Sequence, residues 1–202
     1  SETLTREWLA WENGFNEALD PLSKEPIFLT RDRSKTNVEG YHVITDPENE
    51  VLPTAMRAAF INSVTYENED EVLATFFHEG AVFRVNLNSG ESTRVISGMK
   101  NPHGGRVYAS GYLATSTGTG RLHRVFASGD EEIYSLTALP GKPPELEEME
   151  WVQNAITHEG CIIAIDSNRT AFVIFHPEKK LYDIIPYDPD WAIQDGVVHQ
   201  LS

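Results

Sequence analysis

The spacing of hydrophobic residues changes once along the chain. Within residues 3–19, apolar side chains recur every three or four positions, as on one stripe of an amphipathic helix: Leu4, Trp8, Trp11, Phe15 and Leu19. Gly14 weakens such a helix by about 1 kcal/mol relative to alanine, so the aromatic stripe must be stabilised by docking. We therefore predict a helix in residues 1–22 that packs on its own domain, with a partner-binding helix as the alternative.

From residue 23 to residue 202, short apolar runs alternate with polar clusters rich in glycine, proline and asparagine. This pattern is typical of β-strands joined by turns. Residues 26–30 and 41–45 predict the first two strands, with a third strand as an option before residue 54. The pattern predicts one all-β domain for residues 23–202.

The β region also repeats itself. A shift of 40 positions superposes six identical residues, namely 73–75, 80 and 84–85 on 113–115, 120 and 124–125. A shift of 49 positions superposes residues 155–175 on residues 106–126 and keeps the apolar positions. Each copy continues into a further apolar run, which gives four short strands per copy in residues 58–98, 101–139 and 151–185.

Repeats of about 40 to 50 residues with four strands match the blades of a β-propeller. One such sheet cannot bury both of its faces alone, so neighbouring copies must stack. Residues 191–201 resemble a further inner strand, and we predict that they share a blade with the strands in residues 26–54. The fold class is therefore a small β-propeller of four four-stranded blades, closed by its N- and C-terminal strands. A fifth blade, or pairing of two incomplete rings, is the alternative.

One copy carries a family resemblance. Residues 101–104 (Asn-Pro-His-Gly), followed by residues 111–116 and 120–125, resemble a blade of the NHL-type and gluconolactonase-type β-propellers. Gluconolactonase-type propellers hold a divalent cation in the central channel through Asn, Asp and Glu oxygens, and the resemblance implies that Asn62, Asn154 and Asp195 are the analogous positions. Oxygen ligands suit calcium or magnesium. Alternatively, these amides hydrogen-bond neighbouring inner strands and fill the channel.

The same resemblance sorts the polar residues by face. The turn that enters the inner strand and the turn between the second and third strands point to one face of such propellers. The predicted ligand-binding residues on that face are Asn101, His103, His78, Gln153, Asp166 and Arg169. His103 is the candidate catalytic residue for proton transfer, because imidazole titrates near neutral pH. The alternative is a histidine that bonds to a loop carbonyl. A His-Glu-Gly triplet occurs at residues 78–80 and 158–160, and these two copies fall on opposite faces.

Composition excludes several partners. Sixteen basic and 31 acidic residues give a net charge of −15, which repels nucleic-acid phosphates and anionic membranes. No apolar segment reaches the roughly 20 residues that span a bilayer, and the first residues lack the pattern of a secretory signal peptide. We expect a soluble protein, and the compartment is not indicated. Cys161 is the single cysteine, which rules out an intrachain disulfide.

Three functions are compatible with these residues. The first is a binding module that takes a small molecule or a protein on the face with His103. The second is a metal-dependent, lactonase-like hydrolase that uses the channel cation. The third is a structural protein that assembles into a homo-oligomer. No nucleophile elbow, phosphate loop or dinucleotide fingerprint is present to favour another chemistry.

Overall fold

The computed structural model describes residues 6–199, and within them the protein is all-β. The helical elements of this range are five 3-10 turns of three residues each: Ala10–Glu12, Arg33–Lys35, Thr54–Met56, Thr117–Thr119 and Pro144–Leu146. In the described range no helix is long and apolar enough to cross a membrane. In residues 6–199 fifteen strands form four sheets, but the N-terminal sheet has only three strands, so the predicted fourth four-stranded blade is not formed there.

Three of the sheets are four-stranded and antiparallel, and we call them blades 1, 2 and 3. Blade 1 consists of β4 (Ile61–Tyr66), β5 (Glu71–Phe76), β6 (Ala81–Asn86) and β7 (Ser92–Ile96). Blade 2 consists of β8 (Pro102–Tyr108), β9 (Gly111–Ser116), β10 (Arg121–Phe126) and β11 (Glu131–Ser135). Blade 3 consists of β12 (Val152–His158), β13 (Cys161–Asp166), β14 (Ala171–His176) and β15 (Leu181–Pro186). The three predicted repeats and their four strands are confirmed.

The blades stack face to face, as the burial argument required. The core between blades 1 and 2 contains Leu73, Val82 and Ala114. The core between blades 2 and 3 contains Leu113 and Val173. The first strand of each blade is the inner one, since β4 and β12 both contact β8. Burial of these apolar faces is what fixes the blades relative to one another.

The register between blades 2 and 3 differs from the sequence alignment by one residue. Tyr108 pairs with Gly111 at the β8–β9 turn, and His158 pairs with Cys161 at the β12–β13 turn. The shift between these blades is therefore 50 positions, not 49. The gapless alignment matched Gly160 with Gly111, whereas the fold matches Glu159 with Ala109, both of which have a positive φ in their turns.

The predicted N-terminal helix is wrong for the residues that the structure describes; Leu4 lies outside them. Gly14 has a φ of +94°, which an α-helix does not accommodate, and the chain continues into β1 (Glu17–Leu19). The aromatic residues still dock on the domain. Phe15 stacks on Phe76 with ring centroids 4.4 Å apart, and Nε1 of Trp8 donates to the carbonyl of Gly90 at 3.0 Å. These contacts outweigh a helix propensity that is marginal in a short segment.

The N-terminal sheet has three strands, β1, β2 (Pro26–Thr30) and β3 (Tyr41–Val43), in that order. The strands predicted at residues 26–30 and 41–45 are therefore present. Unlike any pair in the blades, β2 and β3 are parallel. This sheet encloses a small core of its own around Leu29 and Met56.

The predicted closure of the ring is not formed in the described part of the chain. Residues 191–199 contain no strand and do not pair with residues 26–54. They lie beside blade 3 instead, where a Cβ atom added at Gly196 would be 3.5 Å from Cδ1 of Ile156. Both edges of β2 are already occupied by β1 and β3, so the N-terminal sheet offers this segment no place next to β2. The last predicted residue, Leu201, is outside the described range.

Candidate functional site

The starts of the inner strands and the turns between second and third strands share one side of the stack, which we call the upper face. In blade 1 the amide of Phe77 donates to the carbonyl of Phe60 at 2.9 Å. In blade 3 the amide of Ser167 donates to the carbonyl of Trp151 at 3.1 Å. These bonds join each inner-strand entry to the neighbouring turn. The His-Glu-Gly copy at residue 78 is on this face.

The other copy lies on the opposite face. His158 ends β12 at the β12–β13 turn, where it lines a cavity of about 440 Å³ with Tyr108, Arg124 and His176. The two copies therefore belong to different surfaces.

A β-bulge interrupts each inner strand near the upper face. The register shifts between Ile61 and Ser63 in β4, and the same shift recurs in β8 and β12. The pairs before the bulge make Ile61 equivalent to Pro102 and Val152, so the next residue, Asn62, is equivalent to His103 and Gln153. The same count makes Ser63 equivalent to Gly104 and Asn154. The two amides of the predicted metal site are therefore not equivalent in the repeat, since Asn62 matches Gln153 and Asn154 matches Ser63.

Five rings form a continuous surface on the upper face: Phe60, Phe77, His78, His103 and Trp151. We call it the aromatic patch. Phe77 is at its centre, with ring centroids 5.7 Å from Phe60, 5.2 Å from His78 and 5.7 Å from His103. The indole ring of Trp151 extends the aromatic patch beyond His103, and the centroids of these two rings are 6.5 Å apart. The two ends are the solvent-facing members, since Phe60 is 44% exposed and Trp151 is 36% exposed.

The two histidines of the aromatic patch differ in their hydrogen bonds. Nδ1 of His103 lies 3.2 Å from the carbonyl oxygen of Asn101 and 2.7 Å from Oγ1 of Thr117. Because a carbonyl can only accept, Nδ1 carries the proton, and the predicted alternative of a bond to a loop carbonyl is present. Both ring nitrogens of His78 are buried and have no hydrogen-bond partner in the described residues. Buried polar groups without a partner are uncommon in folded proteins, so His78 has capacity for a further hydrogen bond.

Burial keeps both imidazoles neutral. Desolvation lowers the pKa of His78, and the nearby charge of Arg57 lowers that pKa further. Desolvation also lowers the pKa of His103, against a smaller opposing effect of the bond to Asn101. At neutral pH the aromatic patch therefore presents uncharged rings, and His103 can donate a proton only from Nδ1, which is already bonded.

Two predicted ligand-binding residues are structural. Asp166 and Arg169 form an ion pair of 2.6 Å, and each side chain is 1% exposed. The guanidinium of Arg169 also donates to the carbonyls of Leu139 and Pro140. The pair thus holds the connection between blades 2 and 3, and it has no surface left for a ligand. Gln153, in contrast, lines a cavity of about 250 Å³ on the upper face.

The predicted metal ligands do not fit a divalent cation. Nδ2 of Asn62 donates to the carbonyl of Pro102 at 2.8 Å. Oδ1 of Asn154 accepts from the guanidinium of Arg106 at 2.9 Å, and Oδ1 of Asp195 is 3.6 Å from the same group. A fixed positive charge therefore stands between two of the three proposed ligands and repels a metal ion. Residues 6–199 contain no group of three His, Cys, Asp or Glu side chains placed to hold one.

Sequence reasoning missed Arg106 and the aromatic residues of the patch. A signal for Arg106 was available, since a basic residue in an inner strand is unusual in a chain with a net charge of −15. Phe60 and Trp151 each stand just before an inner strand, but their approach to His103 depends on how the blades stack.

Two comparisons with known proteins found no match: no family model and no curated protein matches this chain. Among solved structures it is similar to virginiamycin B lyase from Staphylococcus aureus, with 12% identity over 88% of this chain and 51% of that one, at a TM-score of 0.51. A streptogramin B lyase structure matches with 11% identity over 88% of this chain and 50% of the other, at a TM-score of 0.52. The chain thus spans about half the length of these proteins. The similarity supports the β-propeller fold and does not confirm the NHL or gluconolactonase type.

Proposed function

We propose that this protein is a binding module whose ligand docks on the aromatic patch of the upper face. The observation that carries the proposal is His78, whose two ring nitrogens are buried without partners beside Phe60 and Phe77. A ligand that stacks on these rings and hydrogen-bonds to one of these nitrogens would give it the partner that the described residues do not supply. Propeller-fold chains with varied loops on one face commonly serve binding, which agrees with this reading.

The chemistry of the patch favours a ligand with an aromatic ring. Phe60 and Trp151 offer exposed ring faces, and the neutral imidazoles between them add no charge that would select an anion. Rings held at 5 to 7 Å are suited to offset or edge-on stacking with a further ring. The net charge of −15 favours a ligand that is neutral or cationic over an anionic one.

Indole and tryptamine are direct probes of this proposal. Titration followed by chemical-shift changes of backbone amides should give saturable binding centred on residues 60, 77, 78, 103 and 151, with tryptamine at least as tight as indole. Trp151→Ala should weaken the binding by about tenfold, because stacking on an aromatic side chain is worth roughly 0.5 to 1.5 kcal/mol beyond its buried area.

Tyr182→Ala is the matched control, since Tyr182 is 50% exposed on the outer strand of blade 3. It should leave the affinity unchanged. Shifts that spread over the whole surface, or binding that survives both Trp151→Ala and Phe60→Ala, would rule the patch out as the binding site.

The lactonase-like hydrolase is a weaker hypothesis than the binding module. It needs a divalent cation at Asn62, Asn154 and Asp195, where Arg106 already provides the positive charge. The hydrolase also requires His103 to transfer a proton. The Nδ1 proton of His103 is already used in hydrogen bonding to Asn101 and Thr117. The lyase activities belong to the matched proteins and are not assigned to this chain.

Self-association is a second candidate, because blade 1 has an open apolar groove. Val64 and Tyr66 of β4 are 57% and 77% exposed there, beside Trp8, in a groove of about 670 Å³. Val64 is in register with Ala74, whose repeat equivalent Ala114 is covered by a neighbouring blade. The groove therefore lies on the face of blade 1 that corresponds to the covered face of blade 2. A second copy of the chain is the proposed occupant. Sedimentation of the protein and of Tyr66→Lys tests it: a dimer lost in the variant supports the candidate, and a monomer throughout refutes it.

A further inference from the structure

Arg106 is a partly unsatisfied cation near the axis of the blades. It belongs to the inner strand β8, and its side chain is only 18% exposed. Nη2 donates to Oδ1 of Asn154 at 2.9 Å, and Nε makes a long contact of 3.4 Å with the carbonyl of Gly104. Nη1 has no hydrogen-bond partner within residues 6–199. A guanidinium has five N–H donors, so most of its capacity is unused.

The position of Arg106 is costly for a cation. Desolvation lowers its pKa, and Asp195 opposes that effect. Arginine nevertheless stays protonated at any physiological pH, so a positive charge is kept in a site of reduced solvation. The equivalent positions in the neighbouring inner strands are Thr65 and Ile156, which shows that the blade does not require a cation there.

Asp195 is a loosely held counter-ion. Its Oδ1 is 3.6 Å from Nη2 of Arg106, beyond hydrogen-bond distance, and its side chain is 64% exposed. The segment that carries it, residues 191–199, has no strand and therefore no ladder of hydrogen bonds to fix it. An ion pair at this distance with its carboxylate in solvent contributes little, and the carboxylate exchanges readily.

We propose that Arg106 is the receptor of a carboxylate-binding site at the axis, and that Asp195 occupies the site as an internal substitute. A ligand carboxylate would take the free Nη1 and Nη2 edge in bidentate geometry, which the planar guanidinium fork matches. Binding would displace Asp195 and leave the bond between Arg106 and Asn154 in place. The ligand is a small monoanionic carboxylate, because a phosphate dianion would meet more repulsion from a protein of net charge −15.

Acetate is the probe, added to the whole protein in a chloride buffer of constant ionic strength. We expect saturable amide shifts centred on Gly104, Ala155 and Gly196, whose backbone groups adjoin Arg106, Asn154 and Asp195. Asp195→Asn removes the internal competitor and should tighten acetate binding by about two- to fivefold, the range that corresponds to an exposed ion pair. Arg106→Gln should abolish the saturable shifts.

Arg121→Gln is the matched control, since Arg121 is exposed on β10 and should leave acetate binding unchanged. Saturable shifts in a folded Arg106→Gln protein, or an unaltered affinity in Asp195→Asn, would overturn the proposal. Phosphate that binds more tightly than acetate would overturn the ligand class. Trp151→Ala should not change the acetate affinity, so this result is independent of the aromatic patch.

Discussion

A Cβ atom added at Gly104 would lie 1.6 Å from Oδ1 of Asn154. The inner strands of blades 2 and 3 therefore approach at this point more closely than any side chain at position 104 allows. Gly104 also has a φ of +61°, in the left-handed region that favours glycine. The same contact places the Asn154 amide oxygen where Arg106 can donate to it. One glycine thus sets both the packing of the blades and the geometry of the axial site.

Gly104→Ala should destabilise the protein by about 2 to 4 kcal/mol, the sum of backbone strain and of overpacking against Asn154. Because the clash is with a side chain, Asn154→Ala should relieve part of it. In a double-mutant cycle measured by urea unfolding, we expect the double variant to lose about 1 to 3 kcal/mol less than the two single losses added together. Additive losses would show that the strands separate instead of clashing.

Gly14→Ala distinguishes the observed N-terminal segment from the helix that the sequence predicted. In a helix the alanine would stabilise the protein by about 1 kcal/mol. At a φ of +94° with no neighbouring atom within 4 Å, it should instead destabilise it by about 1 kcal/mol through backbone strain alone. The sign of the change in the free energy of unfolding is the result that matters, and an increase in stability would contradict the structure.

The buried ion pair between Asp166 and Arg169 predicts a large loss in Asp166→Asn. This change leaves the Arg169 guanidinium buried without its counter-ion, which costs about 3 to 5 kcal/mol. The exposed pair of Glu12 and Arg31, with atoms 2.9 Å apart, is the control, and Glu12→Gln should cost at most about 1 kcal/mol. Chemical unfolding of both variants checks this, and equal losses would mean that residues 166 and 169 are not buried together.

His103 predicts a pH dependence of stability. Its folded pKa lies below the ordinary value of about 6.5, so the unfolded chain binds the proton more readily. Its contribution is fully present above about pH 6.5 and is lost as the pH falls through the folded pKa. His103→Gln, which introduces the residue found at the equivalent Gln153, should flatten the slope of stability against pH below neutrality. An NMR titration that places the pKa of His103 above its ordinary value would refute this prediction.

Divalent cations should leave the melting temperature unchanged. A ligand that binds only the folded state raises the melting temperature, and its removal lowers it. With Arg106 between Asn154 and Asp195, neither millimolar calcium nor EDTA should have such an effect. A calcium-dependent rise in melting temperature that is lost in Asn154→Ala would instead revive the hydrolase reading.

The repeats could be predicted because local patterns and self-similarity agree. The strands of residues 73–75 and 113–115 keep identical residues, and glycines at 80 and 120 mark the same turn. The upper face was predicted from the resemblance to propeller blades, and the observed strand order agrees with it. The helix failed because a stripe of aromatic residues can also line an extended segment, and the backbone conformation of Gly14 decides between the two.

The sites depended on features that no spacing along the chain reveals. The strand pairing matches Asn62 with Gln153 and not with Asn154, and an alignment without gaps cannot show this because the β4–β5 turn is longer than the β12–β13 turn. The aromatic patch joins residues of three blades, so the contacts of Phe77 and Trp151 with His103 exist only when the blades are stacked.

The sequence by itself determined the order and strand content of the three repeats, because turn glycines and alternating apolar residues act over a few neighbouring positions. Only the tertiary structure decided which side chains meet between blades. Contacts such as those of Arg106 with Asn154 and Asp195 depend on the register and separation of whole sheets, which are set by the summed packing of many residues distant in the chain.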